Sequence, residues 1–170
     1  MSPQNPIPVT ILTGFLGAGK TTLLNFVLQS NHGLRVAVLV NDFGAVNIDA
    51  QLVVEAREED TIELSNGCIC CTIRGDLIAA LVKITQREIP PDHIIIEASG
   101  VSDPLEIAMV FRQPALSQLI MVDAVLTVID AEQILTLERQ NETMAVLQVG
   151  SADIVVINKV DLVAEDDLKT

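Results

Sequence analysis

Pro8-Val-Thr-Ile-Leu12 leads into Gly14-Phe-Leu-Gly-Ala-Gly-Lys-Thr-Thr22, and a helical pattern from Lys20 to Gln29 takes over at once. An apolar strand, a G-x-x-x-x-G-K-[ST] loop and a helix in that order are the setting in which such a loop cradles phosphate. Glycine lets the backbone take angles that turn N–H groups toward an anion, and the helix behind presents its positive end. Gly14, Gly17, Ala18, Gly19 and Thr22 are therefore candidate nucleotide-binding positions. Lys20 supplies a point charge for β- and γ-phosphate oxygens, and the Thr21 hydroxyl suits Mg²⁺. A glycine-rich turn carrying a surface lysine is the weaker reading, because it leaves the flanking strand and helix unexplained.

Working outward, short β-branched runs alternate with longer helical patterns. Further strands are expected at Arg35 to Val40, His93 to Glu97, Val122 to Ile129 and Ile154 to Ile157. Further helices are expected at Arg74 to Arg87, Pro104 to Phe111, Ala131 to Leu137 and Glu142 to Val149. That rhythm is one of repeated strand-helix-strand units, and strands apolar at consecutive positions are expected to be covered on both faces. The fold class is α/β: a P-loop NTPase three-layer sandwich with a mostly parallel central sheet and helices on both faces. A less regular segment, Asn41 to Gly67, carries short extended pieces near Leu52 to Val54 and Thr61 to Leu64 and is expected to move.

At 170 residues and 49% apolar content the chain is expected to fold as one domain, residues 1–170, with a substantial core. A formal charge of −13 is the wrong sign for nucleic acid or an anionic membrane surface. Trp and Tyr are absent, so recognition is expected to rest on backbone and polar groups. The longest apolar stretch, Ala115 to Ile129, is interrupted by Ser117, Gln118 and Asp123, too soon for a spanning helix. The first residues lack the basic and apolar character of a signal peptide, so a cytoplasmic location is expected. The acidic runs around Glu55 to Glu63 and Glu165 to Asp167 read as solvated faces, and His32 and His93 as capping or packing residues.

Phosphoryl transfer also needs an acid for the metal's water shell, at the end of a neighbouring strand. Glu97, in Ile94-Ile-Ile-Glu-Ala-Ser-Gly100, fits, and the Gly100 N–H is placed to reach a γ-phosphate. Asp42, just past the second strand, is a further catalytic candidate for metal or water positioning. Near the far end, Ile154-Val-Val-Ile is expected to be a buried strand running into Asn158-Lys159-Val-Asp161. A carboxylate there accepts from guanine N1–H and the 2-amino group together, a donor pair adenine lacks, which favours GTP over ATP. All three cysteines, Cys68, Cys70 and Cys71, lie in one short loop and cannot staple distant parts of a secreted fold. Three closely spaced thiolates suit Zn²⁺, and also Co²⁺ or Cu⁺, with a fourth position for water, Glu63 or a donor protein. Buried reduced thiols are the bland alternative.

Together, GFLGAGKTT at 14–22, Asn41-Asp-Phe-Gly44, Glu63-Leu-Ser-Asn-Gly-Cys-Ile-Cys-Cys-Thr72, Glu97-Ala-Ser-Gly100 with Asp103-Pro104, and Asn158-Lys-Val-Asp161 resemble the CobW family of GTP-dependent metallochaperones. Relatives of that family assist nickel insertion into urease and hydrogenase. The resemblance implies GTP/GDP with Mg²⁺ at Lys20 and Thr21, Glu97 in the metal's outer shell, and a delivered zinc or cobalt ion on Cys68, Cys70 and Cys71. It further implies a client metalloenzyme as acceptor. Two departures stand out. Many members carry Glu where this chain has Asp42, and an acid where it has Ala45. The family's G domain also continues through a helix, a strand and a second guanine-contacting loop, so the chain ending at Thr170 is expected to be C-terminally truncated, with reduced guanine affinity.

The leading expectation is a GTP-hydrolysing metallochaperone. The alternatives are a non-catalytic metal-binding or regulatory module and a P-loop small-molecule kinase, the last leaving Asn158 to Asp161 without a purpose. No catalytic base or arginine finger stands out; Arg74 and Arg112 are merely available, so turnover is expected to be slow. A partner, a bound metal or a second protomer in a homodimer would supply what is missing.

Overall fold

The computed structural model describes residues 5–40, 61–63, 72–136, 139–166 and 168, with side chains outside 61–63, 72–76, 135 and 139–141. In chain order the elements are β1 (Ile7–Gly14), α1 (Lys20–Gln29), β2 (Val36–Val40), β3 (Thr61–Glu63), α2 (Thr72–Thr85), β4 (His93–Glu97) and α3 (Pro104–Val110). They continue with β5 (Ile120–Asp130), α4 (Ala131–Leu135), α5 (Arg139–Gly150), β6 (Ile154–Asn158) and a 3₁₀ turn, Val160–Leu162. Local chemistry sets several of these boundaries. Asp103 accepts a hydrogen bond from the Leu105 N–H at 2.8 Å while Pro104 opens α3, so the cap and the ring's fixed φ both favour starting there.

The strands form one sheet in the order β3-β2-β4-β1-β5-β6, with every described pair parallel. All carboxyl ends therefore share one edge. β1 lies between β4 and β5, so the chain leaves β1 toward one side of the sheet for β2 and later crosses to the other side for β5. In parallel sheets the crevice at such a reversal is where ligands bind, and the phosphate loop opens directly into it.

Both faces are buried, as the consecutive apolar positions required. Ala37 and Leu39 of β2 join Val9, Ile11, Ile94 and Ile96 in a core beneath α2 and α3, contributed by Leu77, Leu81, Ile84, Ile107 and Val110. Val38 and Val40 point the other way, toward Leu12, Val128 and the α1 residue Leu24. The period-2 alternation of each strand thus divides a uniformly apolar run between two layers.

The expected Ile154 to Ile157 strand forms, but it is not buried. Among the described residues β6 is the outermost strand on its side of the sheet, and Ile154, Val155 and Ile157 are 50%, 43% and 54% exposed. A strand paired on one side only loses the cover that its composition alone would suggest. α5 is longer than the expected Glu142 to Val149, because its first turn is polar and gives no periodic signal.

His93 packs between strands β4 and β1. Its Nε2 lies 2.8 Å from Thr10 Oγ1 on the adjacent strand, and burial holds the imidazole below its ordinary range, partly offset by the Asp123 charge. The unfolded chain consequently takes up this proton more readily than the folded one. His93's contribution is intact above the free imidazole value of about 6.5 and is lost as pH falls through it toward the lower folded value. Thermal melts of the wild type and His93→Gln between pH 8 and 5 are expected to show the steeper acid loss in the wild type. Parallel slopes would remove His93 from the account.

Candidate functional site

The phosphate loop closes on its own lysine. Lys20 Nζ, on a residue 8% exposed, donates to the carbonyls of Gly14 at 3.0 Å and Phe15 at 3.2 Å, so the ammonium sits inside the curl of the loop. Ala18 is fully buried beneath it. Gly19 stands at φ 101° as the cap of α1, where a side chain is strained, and a Cβ there would also strike Asn158 Nδ2. That position can only be glycine while the loop keeps this shape.

Alternation in β4 sends Ile94 and Ile96 into the core under α2 and α3, and turns Ile95 and Glu97 toward α1. Glu97 is 4% exposed and accepts a 2.8 Å hydrogen bond from Thr21 Oγ1 in the first turn of α1. The two residues assigned to the metal from sequence are thus brought together across 76 positions. Beyond Glu97 the chain makes a tight turn closed by the Ser102 N–H donating to the Ser99 carbonyl at 3.0 Å. Gly100, within it, lies so close to the phosphate loop that a Cβ would stand 2.5 Å from Leu16 N.

Asn158 ends β6 and reaches back to the phosphate loop, its Nδ2 donating to the Ala18 carbonyl at 2.8 Å. The asparagine thereby fixes the distance between the two loops. Lys159 follows with φ 57°, a left-handed conformation rare outside glycine, and its Nζ donates to Asp130 Oδ2 at 2.7 Å. Asp161 is exposed within the 3₁₀ turn. Asp130, at the end of β5, is 7% exposed and also accepts from the N–H groups of Glu132 and Gln133. Burial opposes its ionisation, but the Lys159 ammonium and those two backbone donors outweigh it and hold the carboxyl below its usual range. Its anchoring role was not read from the sequence, although an Asp between a strand and a helix is a cap signal.

The backbone of Glu63 closes β3 opposite Val40, which pairs in turn with Glu97, so Glu63 shares the sheet edge on which the site is built. Asp42 and the three thiols, Cys68, Cys70 and Cys71, lie outside the described residues, as does the extended piece expected at Leu52 to Val54. Among the described residues no three His, Cys, Asp or Glu come together as metal ligands. Nor, among them, is any helix long and apolar enough to cross a membrane.

A sequence model of the CobW/HypB/UreG nucleotide-binding domain matches residues 8–170. The chain belongs to the CobW/HypB/UreG family. Within that family it is 38% identical over 192 residues to the zinc chaperone CobW of Sinorhizobium sp, covering 98% of this chain and 54% of that protein. It is also 38% identical over 200 residues to the zinc-regulated GTPase metalloprotein activator 1 of Dictyostelium discoideum, covering 96% of this chain and 42% of that one. The crystal structure of the Zn(II)-bound YjiA GTPase from E. coli superposes with a TM-score of 0.64 at 33% identity, covering 98% of this chain and 53% of the other. This CobW/HypB/UreG domain therefore spans about half the length of the relatives it matches. The parallel sheet and phosphate loop expected from sequence are those of the family.

Proposed function

We propose that the protein is a GTP-binding, slowly GTP-hydrolysing metallochaperone, with residues 1–170 forming a single GTPase domain that operates in the cytoplasm. The reading is carried chiefly by the 2.8 Å hydrogen bond from Asn158 to the Ala18 carbonyl, which joins the Asn158–Asp161 loop to the phosphate loop. Asp161 would accept from guanine, Lys20 would hold the β- and γ-phosphates, and the loop's N–H groups would cradle them. Thr21 Oγ1 and the Glu97 carboxylate, 2.8 Å apart, are hard oxygen donors of the kind Mg²⁺ takes directly or through water, so the residues present fit that ion. Bound there, Mg²⁺ would neutralise charge developing on the transferring phosphoryl group. The Gly100 N–H would report a γ-phosphate to the turn that follows Glu97.

The cargo would be Zn²⁺ or a similar ion such as Co²⁺, held by Cys68, Cys70 and Cys71 with Glu63 as a further ligand, and passed to a client metalloenzyme. The zinc chaperones and zinc-regulated GTPase among the relatives support this choice of ion. In this reading the nucleotide drives transfer by binding differently to two states, since equal affinity would shift nothing. Zinc affinity measured with a non-hydrolysable GTP analogue and with GDP is expected to differ about tenfold, a coupling of about 1.4 kcal/mol. Equal affinities, or phosphate release as fast from ATP as from GTP, would refute the proposal.

A further inference from the structure

Four polar residues cluster beneath the phosphate loop, on the face of the sheet that otherwise holds the larger apolar core. Thr13 and Thr127 are register partners on β1 and β5, exposed by 0% and 1%. Gln148, on α5, is 2% exposed, and its backbone carbonyl accepts from Thr127 Oγ1 at 2.8 Å. Its side chain extends to the turn after Glu97, where Nε2 donates to the Gly100 carbonyl at 3.2 Å and reaches the Ser102 carbonyl at 3.5 Å. The hydroxyls of Thr13 and Ser102 are buried and make no hydrogen bond among the described residues.

A primary amide this deeply buried costs free energy unless its donors are used. Gln148 directs them at two carbonyls of one four-residue turn, whose shape decides where the Gly100 N–H stands against the phosphate loop. That turn packs against the phosphate loop at Leu16. Within it the Ser102 N–H closes on the Ser99 carbonyl, and its apex residue, Val101, is 63% exposed. The hydroxyls of Thr13 and Ser102, without a partner among the described residues, offer alternative hydrogen bonds to a turn that shifts, so the cluster can satisfy more than one arrangement. α5 then runs through residues 151–153 into β6, which ends on the base loop at Asn158.

We infer that Gln148 is a positioning residue that holds the Gly100 turn in the arrangement competent to meet a γ-phosphate, and so contributes to telling GTP from GDP. This rests on the GTPase reading given above. Gln148 acts through Gly100 and touches no phosphate. It differs from a structural glutamine in one respect: its loss should weaken binding of the triphosphate selectively.

Gln148→Met keeps the volume and the packing of α5 while removing the donors. Dissociation constants for GDP and a non-hydrolysable GTP analogue would be measured on this variant and the wild type, with circular dichroism to establish folding. The expected result is a loss of about tenfold for the analogue with GDP within about twofold, and single-turnover phosphate release reduced in parallel. Equal weakening of both nucleotides, or no change in either, overturns the inference. Should Gln148→Met fail to fold, Gln148→Glu, which sets an acceptor against the same two carbonyls, is read in the same way. Failure of both to fold assigns Gln148 to the core and likewise overturns it. A wild-type chain that binds neither nucleotide instead defeats the GTPase reading, whereas a binding wild type matched by Gln148→Met defeats this inference alone.

Discussion

Lys20→Ala is expected to lower GTP hydrolysis by at least about 100-fold, comparable to the loss of a preorganised charge aimed at the transition state. The ammonium is not a mobile surface group; two loop carbonyls hold it at 3.0 and 3.2 Å in the curl where the phosphates would lie. Its removal takes away both the charge and the tie that keeps Gly14 and Phe15 turned inward. Nucleotide affinity should fall as well, because the same charge serves ground state and transition state alike. Zinc binding in the absence of nucleotide should change little, since Lys20 is not among the proposed thiolate ligands. Phosphate release by the purified variant, assayed with GTP and Mg²⁺, checks this, and undiminished turnover would show that the loop is not the reaction site.

Gly19→Ala should disable both halves of the site with one methyl group. At φ 101° a Cβ is strained by about 1–3 kcal/mol, and here it would also collide with Asn158 Nδ2. Asn158 is a short side chain already committed to Ala18, so it can withdraw only by giving up that bond, worth a further ~1 kcal/mol. Relief of either contact moves the base loop away from the phosphate loop. GTP affinity is therefore expected to fall about 100-fold or more, from terms of this size at about 1.4 kcal/mol per tenfold. Calorimetric titration would measure the loss. Binding within a few-fold of wild type would mean that the two loops are not joined by this contact in solution.

Periodicity and motif spacing carried much of the architecture. Lys20 to Gln29 and His93 to Glu97 fall where composition placed them, because each is bounded by strong local signals: a glycine before the helix in one case, a dense β-branched run ending in an acid in the other. Chemical identity in the site was equally local. A lysine after a glycine loop, a hydroxyl next to it and an acid at a strand end each mark a candidate role by type and neighbourhood.

What chain position could not disclose is which partners meet across the sheet. The bond from Asn158 to Ala18 spans 140 residues and that from Thr21 to Glu97 spans 76, and both exist because parallel register brings every strand's carboxyl end to one edge. Gln148 is the sharpest example, since a glutamine on a helix reads as solvated and becomes a ligand for Gly100 only once α5 is laid beneath that turn. The exposure of β6 has the same origin: its apolar residues describe what the strand prefers, whereas its place at the end of the strand order among the described residues decides what covers it. Composition and motif thus determined the fold class and the residue types that the phosphate and base loops offer as a candidate site, because those depend on short-range sterics and charge. Only the tertiary structure decided how the loops are coupled, because coupling depends on strand order and register, quantities to which no local stretch of sequence is sensitive.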